Sequence, residues 1–160
     1  MVTQLQSHRH KKYQVLVLNG PNLNLLGERD ARLYGKETLA EVEKQLQEVA
    51  ESLGDVDVHC RQSNHEGVLI DDIQAARHNT DGLIINAGAY THTSIALHDT
   101  LLDYKKPIIE VHVSQVFKRE AFRQHSYISP VAVGVIAGFG VNSYLLALQA
   151  LYPLLKAHAN

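Results

Sequence analysis

From Gln14 onward the chain alternates between short aliphatic runs and longer segments whose apolar residues recur at helical spacing. Val15-Leu16-Val17-Leu18 is apolar at every position, the pattern of a strand buried on both faces of a parallel sheet. Thr38 and Glu41 form a capping-box signature, after which Leu39, Val42, Leu46, Val49 and Leu53 repeat on one helix face until Gly54 stops it. The same cycle recurs four more times. A strand near Val56–Arg61 precedes a helix near Gly67–His78, and the strand Leu83-Ile84-Ile85 precedes a helix over about Ser94–Asp103. Pro107 restarts the chain into the strand that carries His112, and a short polar helix is expected around Arg119–Gln124. Val131–Ile136 supplies the fifth strand and Asn142–Leu155 an apolar closing helix.

Five strands alternating with helices predict an α/β, doubly wound sandwich, because right-handed crossovers place helices on both faces of a parallel sheet. The expected strand order is flavodoxin-like, 2-1-3-4-5. In such sheets ligands bind beyond the carboxyl ends of the strands, near the switch in strand order. With 160 residues and 45% hydrophobic content, the chain closes one core, and a second domain would be cramped. The first dozen residues, 1–12, are polar and lack apolar periodicity; they read as a disordered extension preceding a single domain over 13–160. His8 and His10 have no third or fourth ligand nearby, so no metal site is expected there.

Charge narrows the function classes. Fifteen basic and 17 acidic residues give a net charge of −2, which provides no field of one sign for wrapping nucleic acid or lying on an anionic membrane. No apolar run approaches the roughly eighteen residues of a membrane helix and no signal-peptide core is visible, so a cytoplasmic protein is expected. The single cysteine, Cys60, excludes an internal disulfide and sits in a strand interior, where a small core residue is expected rather than a nucleophile.

Polar residues gather at the strand exits. In Ile108-Ile109-Glu110-Val111-His112-Val113-Ser114, strand alternation points Glu110, His112 and Ser114 the same way. On these residues alone the pair is either a core histidine satisfied by its neighbour or an imidazole held in one tautomer for proton transfer. After strand one, the segment Asn19–Gly35 is roughly three times the usual connection length and carries Arg29, Arg32 and Tyr34 between Gly27 and Gly35. It reads as a hinged flap bringing a guanidinium and a phenol over the sheet edge, or as a loop that packs its leucines and exposes its charges. After strand three, Asn86-Ala87-Gly88-Ala89-Tyr90-Thr91-His92-Thr93-Ser94 offers neutral hydrogen-bonding groups suited to hydroxyls, with Thr93 or Ser94 expected as a helix N-cap. Asp99, a turn further, is a surface charge by default. Val113 and Ser114 lead into a possible helix start whose free N–H groups would suit a carboxylate. Arg119 and Arg123 share a helix face, with Arg119 read as solvated; the spacing itself does not prefer Arg123.

Taken together, Asn19-Gly20-Pro21-Asn22-Leu23, Asn86-Ala87-Gly88, Thr91-His92-Thr93-Ser94, Ile109-Glu110-Val111-His112 and His125-Ser126-Tyr127 closely resemble type II 3-dehydroquinate dehydratase. The match runs from about Tyr13 to Tyr152, and five blocks in order across nearly the whole chain make it specific. The resemblance implies a flavodoxin-like subunit, a small-molecule substrate, no cofactor, and a homododecamer built from four trimers. It makes Tyr34 the base that removes the C2 proton of 3-dehydroquinate, with Arg29 favouring its phenolate and Asn22 positioning a water against the enolate oxygen. It makes His112, oriented by Glu110, the acid that protonates the departing C1 hydroxyl, which completes an anti elimination to 3-dehydroshikimate. Asn86, His92 and Arg123 would hold ring hydroxyls, the backbone at Val113 and Ser114 the carboxylate, and Asp99 would reach a neighbouring subunit's site. The reaction would serve aromatic biosynthesis or quinate breakdown, which share this chemistry. Physical chemistry agrees that a phenol, mostly protonated at neutrality, needs an adjacent cation to serve as a base. The chain has Asp30-Ala31 where many relatives have Glu-Pro, which removes a φ restriction from the flap.

Two rivals differ in class, and a third differs only in its route to the same dehydration. Gly134, Gly138 and Gly140 hint at a flavin or nucleotide module, but they do not form Gly-x-Gly-x-x-Gly and follow the wrong strand. A serine hydrolase using Ser94 with His92 or His112 would lack the Gly-x-Ser-x-Gly elbow. A Schiff-base route is disfavoured because the lysines sit at element ends or on polar helix faces.

Overall fold

The computed structural model describes residues 12–158. The expected N-terminal extension lies outside them except for Lys12, whose ammonium pairs with Asp57 at 3.0 Å. Five parallel strands form one sheet in the order β2-β1-β3-β4-β5, as the alternation of elements predicts. They are β1 (Tyr13–Asn19), β2 (Val56–Gln62), β3 (Gly82–Asn86), β4 (Ile108–His112) and β5 (Gly134–Ala137). The helices are a four-residue α1 (Ala31–Tyr34), α2 (Leu39–Leu53), α3 (Glu66–Asn79), α4 (Ile95–Leu102) and α5 (Asn142–His158).

Strand alternation sorts the core into two layers. Val15 and Val17 of β1, Ile84 of β3, and Ile109 and Val111 of β4 face α2 and α5, meeting Val42, Leu46, Tyr144 and Leu148. Leu16, Leu18, Leu83, Ile85 and Ile108 face α3 and α4, meeting Leu69, Ile73, Leu97 and Leu101. Glu110 and His112 therefore stand on the α3/α4 side of β4. That end of the sheet is covered by the irregular segment 113–133 rather than by a helix, which leaves room for chemistry.

Local signals set the helix bounds. Thr38 accepts the N–H of Glu41 while the Glu41 carboxylate accepts the N–H of Thr38 at 2.7 Å, the reciprocal capping box, and Gly54 ends α2 in the left-handed region at φ 85°. Ser94 caps α4 by accepting the N–H of Leu97 at 2.9 Å.

Two expectations need correction. The fifth strand is Gly134–Ala137, not Val131–Ile136, because Ser129–Val131 forms a 3-10 turn with Pro130 inside it and Val131 bonds back to Ile128. No continuous helix spans Arg119–Gln124: two three-residue 3-10 turns, Val116–Lys118 and Ala121–Arg123, lie there, separated by an extended Arg119. Among the described residues no helix is long and apolar enough to cross a membrane.

Candidate active site

A cleft of about 120 Å³ opens beyond the carboxyl ends of β1, β3 and β4, beside the β1/β3 switch in strand order. Two tight approaches shape it. A Cβ on Gly20 would lie 2.3 Å from the carbonyl oxygen of Ala87, and one on Gly88, at φ 59°, would lie 3.0 Å from that of Pro21. Only glycines let the loops after β1 and β3 meet this closely. Asn22 follows at φ 67°, a left-handed conformation that asparagine tolerates, with its N–H bonded to the Asn64 side chain at 3.0 Å.

The segment after β1 is anchored to the core at its base. Leu23 and Leu26 are buried and pin its base, while Leu25 and Leu33 stay exposed. Asp30, in the unusual Asp30-Ala31 pair, caps α1 through the N–H of Arg32 at 3.0 Å and pairs with its guanidinium at 2.9 Å. The short helix delivers Tyr34 into the protein, 9% exposed. Its hydroxyl receives two guanidinium hydrogen bonds, from Arg29 Nη2 at 3.2 Å and from Arg119 Nη1 at 2.9 Å. The Arg29 guanidinium also stacks 4.0 Å from the ring centroid. Two guanidinium donors thus converge on one phenol oxygen.

Arg119 is the residue that sequence reasoning missed. Its place on an expected polar helix suggested a solvated charge, yet its side chain is only 15% exposed and also donates to Ser114 Oγ at 3.3 Å. Tyr34 and Arg119 lie 85 positions apart, so no local pattern announces the pair.

Across the cleft, the expected dyad is assembled as strand alternation requires. His112 Nε2 lies 2.6 Å from Glu110 Oε1, with both residues buried. Burial pushes the Glu110 carboxyl up, but hydrogen bonds from His112, Ser129 and Ser126 outweigh that and hold it below its ordinary range. The His92 ring stacks on that of His112 with centroids 6.4 Å apart, and its Nδ1 lies 2.7 Å from the His125 carbonyl. Burial, helped by the neighbouring charges of His112 and Arg123, lowers the His92 value against the opposing carbonyl bond, which favours the neutral imidazole.

The remaining expected residues divide. Asn86, at the end of β3, is fixed from both sides: its amide N–H₂ donates to Tyr144 Oη at 2.9 Å and its oxygen accepts the Gly88 N–H at 3.2 Å. Tyr144 in turn donates to Asn19 at 2.6 Å. Asn22, Val113, Ser114 and Arg123 line the same cleft, with Arg123 paired to Glu120 at 2.9 Å. Asp99 does not; it is exposed and borders a shallow pocket between α3 and α4 with Arg77 and Asp103. Among the residues lining the cleft are three guanidinium groups and no carboxylate or lysine, which suits a substrate bearing a carboxylate.

Other candidates lead elsewhere. Ser94 is buried and occupied as the α4 cap. Burial raises the Cys60 thiol to about 12, which makes it inert at neutrality. A larger cavity of about 440 Å³ lies between α3 and the β1/β2 part of the sheet, where Gln14 lies 2.6 Å from His59 and Arg61 pairs with Asp72 at 2.9 Å. Among the described residues no cluster of three metal-ligating side chains occurs.

Residues 13–152 match the profile of the family described as Dehydroquinase class II. A protein of Gloeothece citriformis (strain PCC 7424) named 3-dehydroquinate dehydratase is 55% identical over 150 residues, spanning 94% of this chain and 98% of its own. The crystal structure of type II dehydroquinase from Butyrivibrio crossotus DSM 2876 superposes with a TM-score of 0.86 at 45% identity, covering 88% of this chain and 98% of that one. That of type II dehydroquinase from Propionibacterium acnes gives a TM-score of 0.85 at 41% identity over 90% and 99% of the respective chains.

Proposed function

The chain belongs to the class II dehydroquinase family, and from that premise we propose that it dehydrates 3-dehydroquinate to 3-dehydroshikimate by anti elimination through an enolate. The observation that carries this reading is a cationic cleft with two proton-transfer groups on different walls. On one wall is a phenol oxygen under two guanidinium donors, and on the other an imidazole backed by a buried carboxylate.

The roles follow from that opposition. Tyr34, as phenolate stabilised by Arg29 and Arg119, takes the C2 proton, which is acidic because the adjacent carbonyl accepts the electron pair as an enolate. Asn22 positions a water at the enolate oxygen. His112 has Nε2 committed to Glu110, so Nδ1 is the atom that delivers a proton to the C1 hydroxyl. The C–O bond breaks, the enolate electrons form the C1–C2 double bond, and water leaves. Neutral His92, Asn86 and Arg123 hold ring hydroxyls, while the backbone of Val113 and Ser114 receives the carboxylate. Closing the flap over this set excludes water, which strengthens every charge interaction within it.

No part of this assignment calls on a resident cofactor or metal. Asp99 is assigned to the cleft of a neighbouring subunit in a dodecamer of four trimers. Val133, Val135 and Phe139, 43–63% exposed on and beside the edge strand β5, favour burial of that edge in an assembly. Sedimentation at about twelve times 17.8 kDa supports it, and a monomer refutes it.

The purified protein, mixed with 3-dehydroquinate and no added cofactor, is expected to generate the near-ultraviolet absorption of a conjugated enone acid. Borohydride added during turnover should leave no covalent adduct. A flat trace with folded protein, or a reduced lysine adduct, would overturn the reading.

A further inference from the structure

His125-Ser126-Tyr127 is the one block of the family resemblance to which no role attaches, yet its neighbourhood holds the acid half of the cleft in place. The carbonyl of His125 accepts from His92 Nδ1 at 2.7 Å, and the N–H of Tyr127 bonds to the Thr91 carbonyl at 2.8 Å. Ser126 Oγ accepts the N–H groups of both Ile128 and Ser129 at 3.0 Å and lies 2.8 Å from Glu110 Oε1. With its lone pairs taken by two backbone donors, its own proton has Glu110 as its target. Ser129 Oγ approaches the other oxygen, Glu110 Oε2. The carboxylate thus meets hydroxyl groups on both oxygens from behind and an imidazole nitrogen in front.

This accounting fixes a proton. A carboxylate already receiving Ser126 on Oε1 and Ser129 on Oε2 is an acceptor throughout, so the 2.6 Å contact from His112 Nε2 has to carry its hydrogen on nitrogen. We propose that Ser126 and Ser129 are positioning residues for the acid step: they clamp Glu110 as an anion, which keeps the Nε2 proton of His112 on nitrogen and directed at Glu110, and leaves Nδ1 to exchange protons with substrate. The proposal rests on the reading of His112 as the acid.

The clamp is built where a loop can reach it. Glu110 points to the α3/α4 side of β4, and residues 113–133 cover that side, so the chain leaving His112 returns as the Ser129–Val131 turn to seat its hydroxyls on the strand it left. This also explains why β5 starts at Gly134: the turn that presents Ser129 consumes the residues expected to open the strand.

The test compares wild-type enzyme with Ser126→Ala, Ser129→Ala, Ser129→Thr and Ser129→Ala in a Glu110→Gln background. Ser129→Ala is the decisive variant, because among the described residues the Ser129 hydroxyl bonds only to Glu110, whereas Ser126→Ala also removes two backbone partners and can unfold the turn. We expect Ser129→Ala to lower kcat by about tenfold with KM unchanged, since a residue acting through another group typically costs roughly ten- to a hundredfold. The acid limb of its pH profile should move to higher pH, because a carboxylate that loses a donor is protonated more easily. Ser129→Thr should restore both, and adding Ser129→Ala to Glu110→Gln should cost nothing more. ¹⁵N spectra of histidine-labelled protein should show His112 protonated at Nε2 in the wild type and as a tautomer mixture in Ser129→Ala. Unchanged kcat and pH limb in Ser129→Ala, a loss that adds fully to Glu110→Gln, or a neutral wild-type His112 that carries its proton on Nδ1 instead of Nε2 would each overturn the clamp. If the wild type itself fails to dehydrate 3-dehydroquinate, the functional reading falls, and the ¹⁵N spectra still decide the clamp.

Discussion

The two walls of the cleft are built on different principles. The acid wall stands on consecutive same-face positions of β4, where the sheet fixes the separation of Glu110 and His112 and a loop locks the pair from behind. The base wall is carried by a flap: Tyr34 sits on a four-residue helix, and its hydroxyl is held by Arg29 five residues away and Arg119 eighty-five residues away. A strand supplies geometry at no further cost, whereas a flap needs distant partners to stop its side chains wandering. Under the proposed roles, the difference would give preorganisation to the acid and gating to the base.

The largest expected effect falls on the strand-borne wall. His112→Ala should lower kcat by roughly 10²–10⁴-fold with substrate still bound, the usual contribution of a positioned proton donor. Stopped-flow turnover with calorimetric titration of substrate separates the two quantities, and unimpaired turnover would remove the acid wall from the mechanism.

Next comes the bond that spans the two regions. Arg119→Met should cost roughly 10²–10³-fold in kcat, the scale of losing one preorganised donor at developing charge. It should cost little more when Tyr34 is already phenylalanine, because both guanidinium bonds end on that hydroxyl. A loss that persists undiminished in the double variant would place Arg119 on the substrate instead.

Stability against pH sharpens the contrast. The folded-state value of Glu110 lies below its ordinary 4.5, so its hydrogen bonds contribute stability that is fully present above that value and is lost as pH falls through the lower folded value. Glu110→Gln should therefore be less stable than wild type at pH 7 by roughly 1.5–3 kcal/mol, the range for hydrogen bonds to a charged group. That gap should close below the ordinary carboxylate range. Denaturant melts across pH would show it, and a constant gap would mean that the charge on Glu110 is not what the network stabilises.

The smallest effect on turnover should come from Tyr144→Phe, which leaves buried Asn19 and Asn86 without their shared hydroxyl. The expected cost is about 1–3 kcal/mol of stability, the penalty for unpaired buried polar groups, with a modest rise in KM through Asn86. A melt and a Michaelis curve on the same preparation check both.

The same contrast explains what could be read from sequence. β1, the α2 capping box at Thr38 and Glu41 and the Glu110/His112 alternation are short local patterns, and each stands where the pattern puts it, while the cap left open between Thr93 and Ser94 falls on Ser94. Arg119 escaped because its value lies in a partner 85 positions away, and because a helix assumed over 119–124 turned it toward solvent where two 3-10 turns turn it inward. The start of β5 escaped because Val131–Val133 carries a strand's composition while Ser129-Pro130 commits the chain to a turn under Glu110. Asp99 can be placed on the surface of one chain, but the role proposed for it would depend on assembly, which no local pattern encodes.

The most direct test of the opposed walls is Tyr34→Phe, which keeps the buried ring and removes only the oxygen that both guanidinium groups address. Calorimetry with 3-dehydroquinate should show binding close to wild type, while the near-ultraviolet assay should show turnover lowered by roughly 10²–10⁴-fold. Near-native turnover by that variant would contradict the account.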